Sequence, residues 1–253
     1  MKTFVQEDSI IRQIWGKADT VLFIFAGAAA EFALNKAVDW LYFTGRLPAD
    51  PLGRLFSTVT YAQQIIFLDE VAALNAIDKI TAIHKSVEKS RGAQIPDWAY
   101  LDVLYMLIDY SIRSFELLER KLSDPEKNEV FDVFRRVGKQ MQLKDLPGGY
   151  PEWTLSRSKH LDEDILCSEL TKDLYLQYKN NLGPLRYILL KQVQLKLVPR
   201  KVKNLLPIKK LSWVSPVLLL YKVARFIRIS GMMKSILLPG AYREQIRRLD
   251  IKI

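Results

Sequence analysis

The chain is poor in cysteine, histidine, glycine and proline. One cysteine, Cys167, in 253 residues excludes an internal disulfide framework, a zinc–cysteine cluster and a CxxC redox pair. A lone thiol suits a reducing cytoplasm. Glycine and proline number 11 each, and the prolines sit mainly at segment edges, which disfavours a turn-rich β fold. The longest apolar stretch, Thr20 to Leu34, is interrupted by Glu31 and is short for a membrane span of about 20 residues. Glu7 and Asp8 lie where a secretory signal needs an apolar run, which speaks against a signal peptide. No HExxH, GxSxG, phosphate-binding loop or GxGxxG occurs, so those chemistries lack support. A di-iron bundle needs Glu-x-x-His units, and the residue three before His84 is Thr81.

Hydrophobic residues, by contrast, make up 49% of the chain, enough for a sizeable core. Their spacing is mostly helical, without an internal repeat. The reading is an all-α fold: a single multi-helix domain over 1–253, with a basic helical C-terminal extension over about 151–253. A short helix is expected from Asp8 to Gly16, with Ile10, Ile11, Ile14 and Trp15 on one face. Asp19 is read as the cap of a central helix running from Thr20 to about Tyr42, apolar nearly all round. Helices follow over Leu52–Leu68, from Asp69 to Arg91, and from Asp97 (as cap) to Leu122. Ser123, Pro125 and Glu126 form a helix start for a segment ending near Met141. Breaks are expected at Leu146–Pro151 and Asn180–Pro184, with Trp153–Asn180 helical between them.

The net charge of +10 is uneven. From Gly183 to Ile253 there are 16 Lys and Arg against 2 Asp and Glu. Trp213, Phe226 and Met232 are interleaved with those charges. Such a surface suits peripheral contact with anionic lipid; the plainer alternative is a packed helix with a solvated basic side. No nucleic-acid motif accompanies the charge, so nucleic acid is disfavoured.

Only two histidines are present. His84 follows Ile77 by seven and Ile80 by four, and precedes Val87 by three, so it lies on the apolar face of its helix. Neutral imidazole is a common axial ligand of haem iron; the alternative is a core histidine bonded to a carbonyl. His160 lies in a polar run, Ser158 to Asp164, and is expected to be solvated. Arg54 and Thr58 are four apart and share a helix face. Arg54 suits a carboxylate partner, either a bound one or a protein acid such as Asp50. Thr58 either donates to a bound oxygen species or returns its hydroxyl to the backbone. Glu31 is a carboxylate in an apolar helix, costly unless paired; pairing with Arg54, surface exposure and proton handling are its options. Asp109 is expected to hold a structural hydrogen bond.

Asp50, Pro51, Gly53, Arg54 and Thr58 stand in the order Asp-Pro-x-Gly-Arg-x-x-x-Thr, and His84 follows on a later helix. With Ala18 to Gly27 upstream and Ile108, Asp109, Leu122, Asp124, Val137 and Gly138 downstream, this order resembles the rubber-oxygenase and MpaB-type oxygenase family over about 15–146. The resemblance implies a haem-b-dependent oxygenase, with His84 as iron ligand and with Arg54 and Thr58 holding the haem or shaping the oxygen pocket. A hydrophobic, isoprenoid-like substrate and dioxygen would be its small-molecule partners, at a cytoplasmic site or at the membrane periphery. The chain departs from the family pattern in three places: the stretch Asn35 to Asp39 has no His where many relatives carry a His-Pro pair, Leu104 stands where relatives often have a histidine, and Ser57 stands where rubber-cleaving members have a lysine. The alternative function is a haem-free helical protein that binds lipid or a membrane and catalyses nothing.

Overall fold

The computed structural model describes residues 2–45 and 49–208. Among them are ten helices: α1 (Ile10–Trp15), α2 (Ala18–Phe32), α3 (Val38–Phe43), α4 (Pro51–Phe67), α5 (Glu70–Arg91), α6 (Asp97–Leu118), α7 (Asp124–Gln140), α8 (Tyr150–Glu163), α9 (Glu169–Leu197) and α10 (Arg200–Leu205). Sheet pairing among these residues is limited to two isolated bridges, Thr3 with Asp69 and Asn35 with Ile165. The chain is all-α, as its spacing predicts. The expected helices beyond Ile208, with Trp213, Phe226 and Met232, lie outside the described residues.

The core is built around α2 and α6, which pack along each other. Both are buried over much of their surface, as central helices must be. Their backbones meet where α2 carries Gly27: a Cβ there would stand 2.3 Å from Cδ1 of Tyr110 on α6. No other residue type permits that approach. Ile10, Ile11, Ile14 and Trp15 bury one face of α1, and Trp15 donates from Nε1 to the Ser111 hydroxyl at 3.0 Å. Helix α7 covers α6 with Val130, Phe131, Val133, Phe134 and Val137. Its start follows the sequence: the Ser123 N–H donates to Glu126 Oε2 at 2.8 Å, with proline in the first turn.

Four expectations need correction. The single helix from Thr20 to Tyr42 is two helices. Residues 33–37 leave the helical path, because Asn35 bridges to Ile165 and its Oδ1 accepts from the Ala37 N–H at 2.8 Å. Asp19 is not a cap but a first-turn residue behind the cap Lys17, and Asp97 likewise follows the cap Pro96. The helix expected over Trp153–Asn180 is divided between α8 and α9, because the chain leaves α8 at Asp164 and restarts at the cap Ser168. The break expected at Asn180–Pro184, by contrast, is present: α9 is two helical stretches that meet at a kink there. Gly183 adopts φ 74°, a conformation open to glycine, and Pro184 follows without an N–H to donate.

Candidate functional site around His84

Helices α4 and α5 form an antiparallel pair whose caps are both aspartates. Asp50 accepts from the Gly53 N–H at 2.8 Å, and Asp69 accepts from the Ala72 N–H at 3.0 Å. The pair brings Arg54 and His84, thirty residues apart in sequence, into electrostatic reach of one another. Both side chains are partly buried.

The His84 imidazole packs on an aromatic ring that is itself held by a carboxylate. The edge of its ring meets Tyr100 of α6, with centroids 5.2 Å apart and planes at 63°. One turn further along α5, Glu88 Oε1 accepts from the Tyr100 hydroxyl at 3.1 Å and from the Ile95 N–H at 2.9 Å. The Nδ1 atom is sealed from solvent and has no hydrogen-bond partner. Burial, and then the Arg54 guanidinium, push the His84 pKa down to about 4 against a weaker opposing pull from Glu88. At neutral pH the ring is therefore uncharged and keeps a lone pair, the form in which imidazole ligates a metal. The expectation of a core histidine bonded to a carbonyl is not met at Nδ1.

Thr58 lies one turn from Arg54 and donates its hydroxyl to the Arg54 carbonyl at 3.1 Å, which is the backbone-directed option. Of the three residues singled out by sequence, Arg54 and His84 come within electrostatic reach across two helices, while Thr58 bonds within its own helix. Tyr100 and Glu88 were missed. A histidine with a carboxylate four residues on is a helical pair readable from sequence, but the aromatic that meets it comes from another helix.

Glu31 does not pair with Arg54. It lies in the core with Arg157 of α8, whose Nη1 and Nη2 stand 2.5 and 2.6 Å from Oε1 and Oε2. Tyr110 adds a hydroxyl at 2.8 Å to Oε2. Arg157 Nη2 also reaches Asp109 Oδ2 at 3.1 Å, and Arg113 Nε donates to Asp109 Oδ1 at 2.6 Å. Burial opposes the charge on Arg157, but Glu31 and Asp109 more than offset it and move its pKa up. Two carboxylates and two guanidinium groups balance here, which is how buried charge is tolerated.

His160 is not solvated. Its side chain is 11% exposed, and Nδ1 lies 2.6 Å from Asp102 Oδ1 and 3.1 Å from Asp164 Oδ2. The polar run around it conceals this, because α8 turns His160 inward against Tyr105, with ring centroids 5.1 Å apart. A separate cleft of about 430 Å³ lies between the N-terminal segment and α7, lined by Val5, Ser9, Glu129 and Arg136 among others, and includes none of these residues.

No helix among the described residues is long and apolar enough to cross a membrane. No curated protein and no solved structure gives a significant match to the chain. The profile of the family described as ER-bound oxygenase mpaB/B'/rubber oxygenase, catalytic domain, matches residues 12–246, well past the stretch over 15–146 on which the resemblance was drawn. On that coverage the chain belongs to the MpaB and rubber-oxygenase catalytic-domain family.

Proposed function

We propose that this protein is a haem-b-dependent oxygenase acting on a hydrophobic, isoprenoid-like substrate, with His84 as the iron ligand. The observation that supports this most is the neutral, partly buried His84 imidazole, whose Nδ1 atom has no hydrogen-bond partner and which has a guanidinium in electrostatic reach, in a chain of an oxygenase family. A buried polar atom without a partner is costly. A ligand from outside the polypeptide would remove that cost.

The residues present fit the group. Nitrogen for iron comes from His84, and Arg54 is placed to pair with a carboxylate of the porphyrin. When bound, haem would supply the activation of dioxygen that no amino acid side chain provides. The chain's own part is to orient and to exclude water. Tyr100, held by its bond to Glu88, packs against the imidazole from the side. Thr58, one turn from Arg54, spends its hydroxyl proton on the backbone, so it would present an acceptor and a methyl group to the pocket. Apolar residues of the α4–α5 pair, such as Ile80, would make the surroundings suitable for a hydrocarbon chain.

The whole of 1–253 is proposed to act as one domain at a cytoplasmic site. Its basic C-terminal part would dock on anionic lipid, where an apolar substrate is dissolved. The test is an absorption spectrum of protein expressed with a haem precursor, followed by oxygen uptake with a polyprenyl substrate. A Soret band is expected in the wild type, with altered ligand-field features in His84→Ala. A wild-type protein that takes up no haem on reconstitution would leave the haem-free, lipid-binding function in its place.

A further inference from the structure

We propose that Asp102, His160 and Asp164 form a binding site for one divalent metal ion of the zinc class, separate from the His84 site. The three residues come from α6, from α8 and from the residue that ends α8. Each offers one ligand atom, and these atoms all lie within 4.8 Å of one another. One nitrogen and two carboxylate oxygens suit zinc and its neighbours in the first transition row.

The arrangement is poorly served by a proton alone. His160 Nδ1 faces Asp102 Oδ1 and Asp164 Oδ2 together, yet one ring nitrogen carries at most one proton. That nitrogen can therefore satisfy one of the two carboxylates and not both. Lys36 relieves this only from outside, because its ammonium donates to the Glu163 carbonyl. A divalent ion among the three ligand atoms would serve both carboxylates at once.

Geometry and surroundings agree with this. Zinc with bonds of about 2.0–2.2 Å holds tetrahedral ligands about 3.3 Å apart. The Asp164 contact is already at 3.1 Å, and the 2.6 Å Asp102 contact must open by less than about 1 Å on the same geometry. Asp102 has an outer partner: Asn35 Nδ2 donates to its Oδ2 at 2.6 Å, which leaves Oδ1 for an ion, as supporting hydrogen bonds do in metal sites. The Asp164 side chain is 15% exposed, so the site is open to solvent on that side.

The test is titration of the full chain, freed of metal by a chelator, with zinc ions in a calorimeter. One equivalent per chain is expected, with affinity at least tenfold weaker in Asp164→Asn and unchanged in His84→Ala. Zinc should also raise the melting temperature of the wild type and not that of Asp164→Asn. Should the variant fail to fold, the wild type alone decides, since cobalt(II) in this site must give the intense visible bands of a tetrahedral nitrogen–oxygen shell. Equal zinc affinity in wild type and Asp164→Asn, loss of binding in His84→Ala, or absence of those bands would overturn the proposal and leave only a histidine held between two aspartates.

Discussion

Arg157 and Glu31, 126 residues apart, meet fork to fork inside the protein, with both side chains at most 6% exposed. The pair joins α8 to the central helix α2. Replacing Arg157 by Met keeps much of the volume but strands the Glu31 carboxylate in the core and takes one of two cations from Asp109, which keeps Arg113. Breaking a buried pair from one side costs about 3–5 kcal/mol. The Arg157→Met protein should therefore lose stability of that order in urea. Adding Glu31→Gln and Asp109→Asn to Arg157→Met should return part of it, since the stranded charge is then gone. If Arg157→Met unfolds at the wild-type midpoint, the network contributes nothing and this account of the core is wrong.

The pH dependence of the haem-free protein is set in part by His84. Its folded pKa, about 4, lies below the unfolded value of about 6.5. The folded state therefore resists protonation. Stability is unaffected above pH 6.5, declines as pH falls from there to 4, and stays reduced below it. The full effect is about 3 kcal/mol. His84→Asn should flatten that part of the profile. An imidazole resonance that titrates near 6.5 in the folded protein would contradict the burial argument directly.

At Gly27 the constraint is steric. A Cβ would sit 2.3 Å from Cδ1 and 2.5 Å from Cε1 of Tyr110, and Tyr110 is fixed by its bond to Glu31. Neither ring nor helix has an easy way to yield. Gly27→Ala should lower stability by about 1–3 kcal/mol, although alanine is the better helix former. Gly27→Ala combined with Tyr110→Leu should recover some of the loss. A melting temperature above wild type for the single variant would show that the α2–α6 contact is looser than described.

How much of this was legible in the sequence follows from the range of each signal. Local chemistry was readable. Ile10, Ile11, Ile14 and Trp15 marked the buried face of α1, and Ser123 with Glu126 marked the start of α7. Arg54, Thr58 and His84 were singled out by the resemblance together with helical spacing, and the fold brings Arg54 and His84 into electrostatic reach. What could not be read depends on long-range pairing. Nothing in the apolar run around Glu31 points to Arg157, which sits in a polar stretch of its own. His160 looked solvated because its sequence neighbours are charged. Only the packing of α8 on α6 reveals Asp102 beneath it. The end of α2 was missed for the same reason, since Asn35 is held by Ile165 and Asp102, both distant in sequence.

Asn35 offers the most discriminating substitution, because it does two jobs with two different atoms. Its Nδ2 donates to Asp102 at 2.6 Å, and its Oδ1 accepts from the Ala37 N–H at 2.8 Å. The side chain is buried, so neither partner can turn to water. Asn35→Ala removes both bonds and should cost about 1–3 kcal/mol. Asn35→Asp has the same shape and keeps the acceptor, yet it replaces the donor with a carboxylate oxygen against another carboxylate. If the electrostatic half dominates, Asn35→Asp is the less stable of the two at pH 7, and the order narrows as pH falls and one carboxyl takes up a proton. If the turn at Ala37 dominates instead, Asn35→Asp is the more stable variant throughout. Denaturation midpoints of the two proteins at two pH values, with unchanged m, decide between these outcomes.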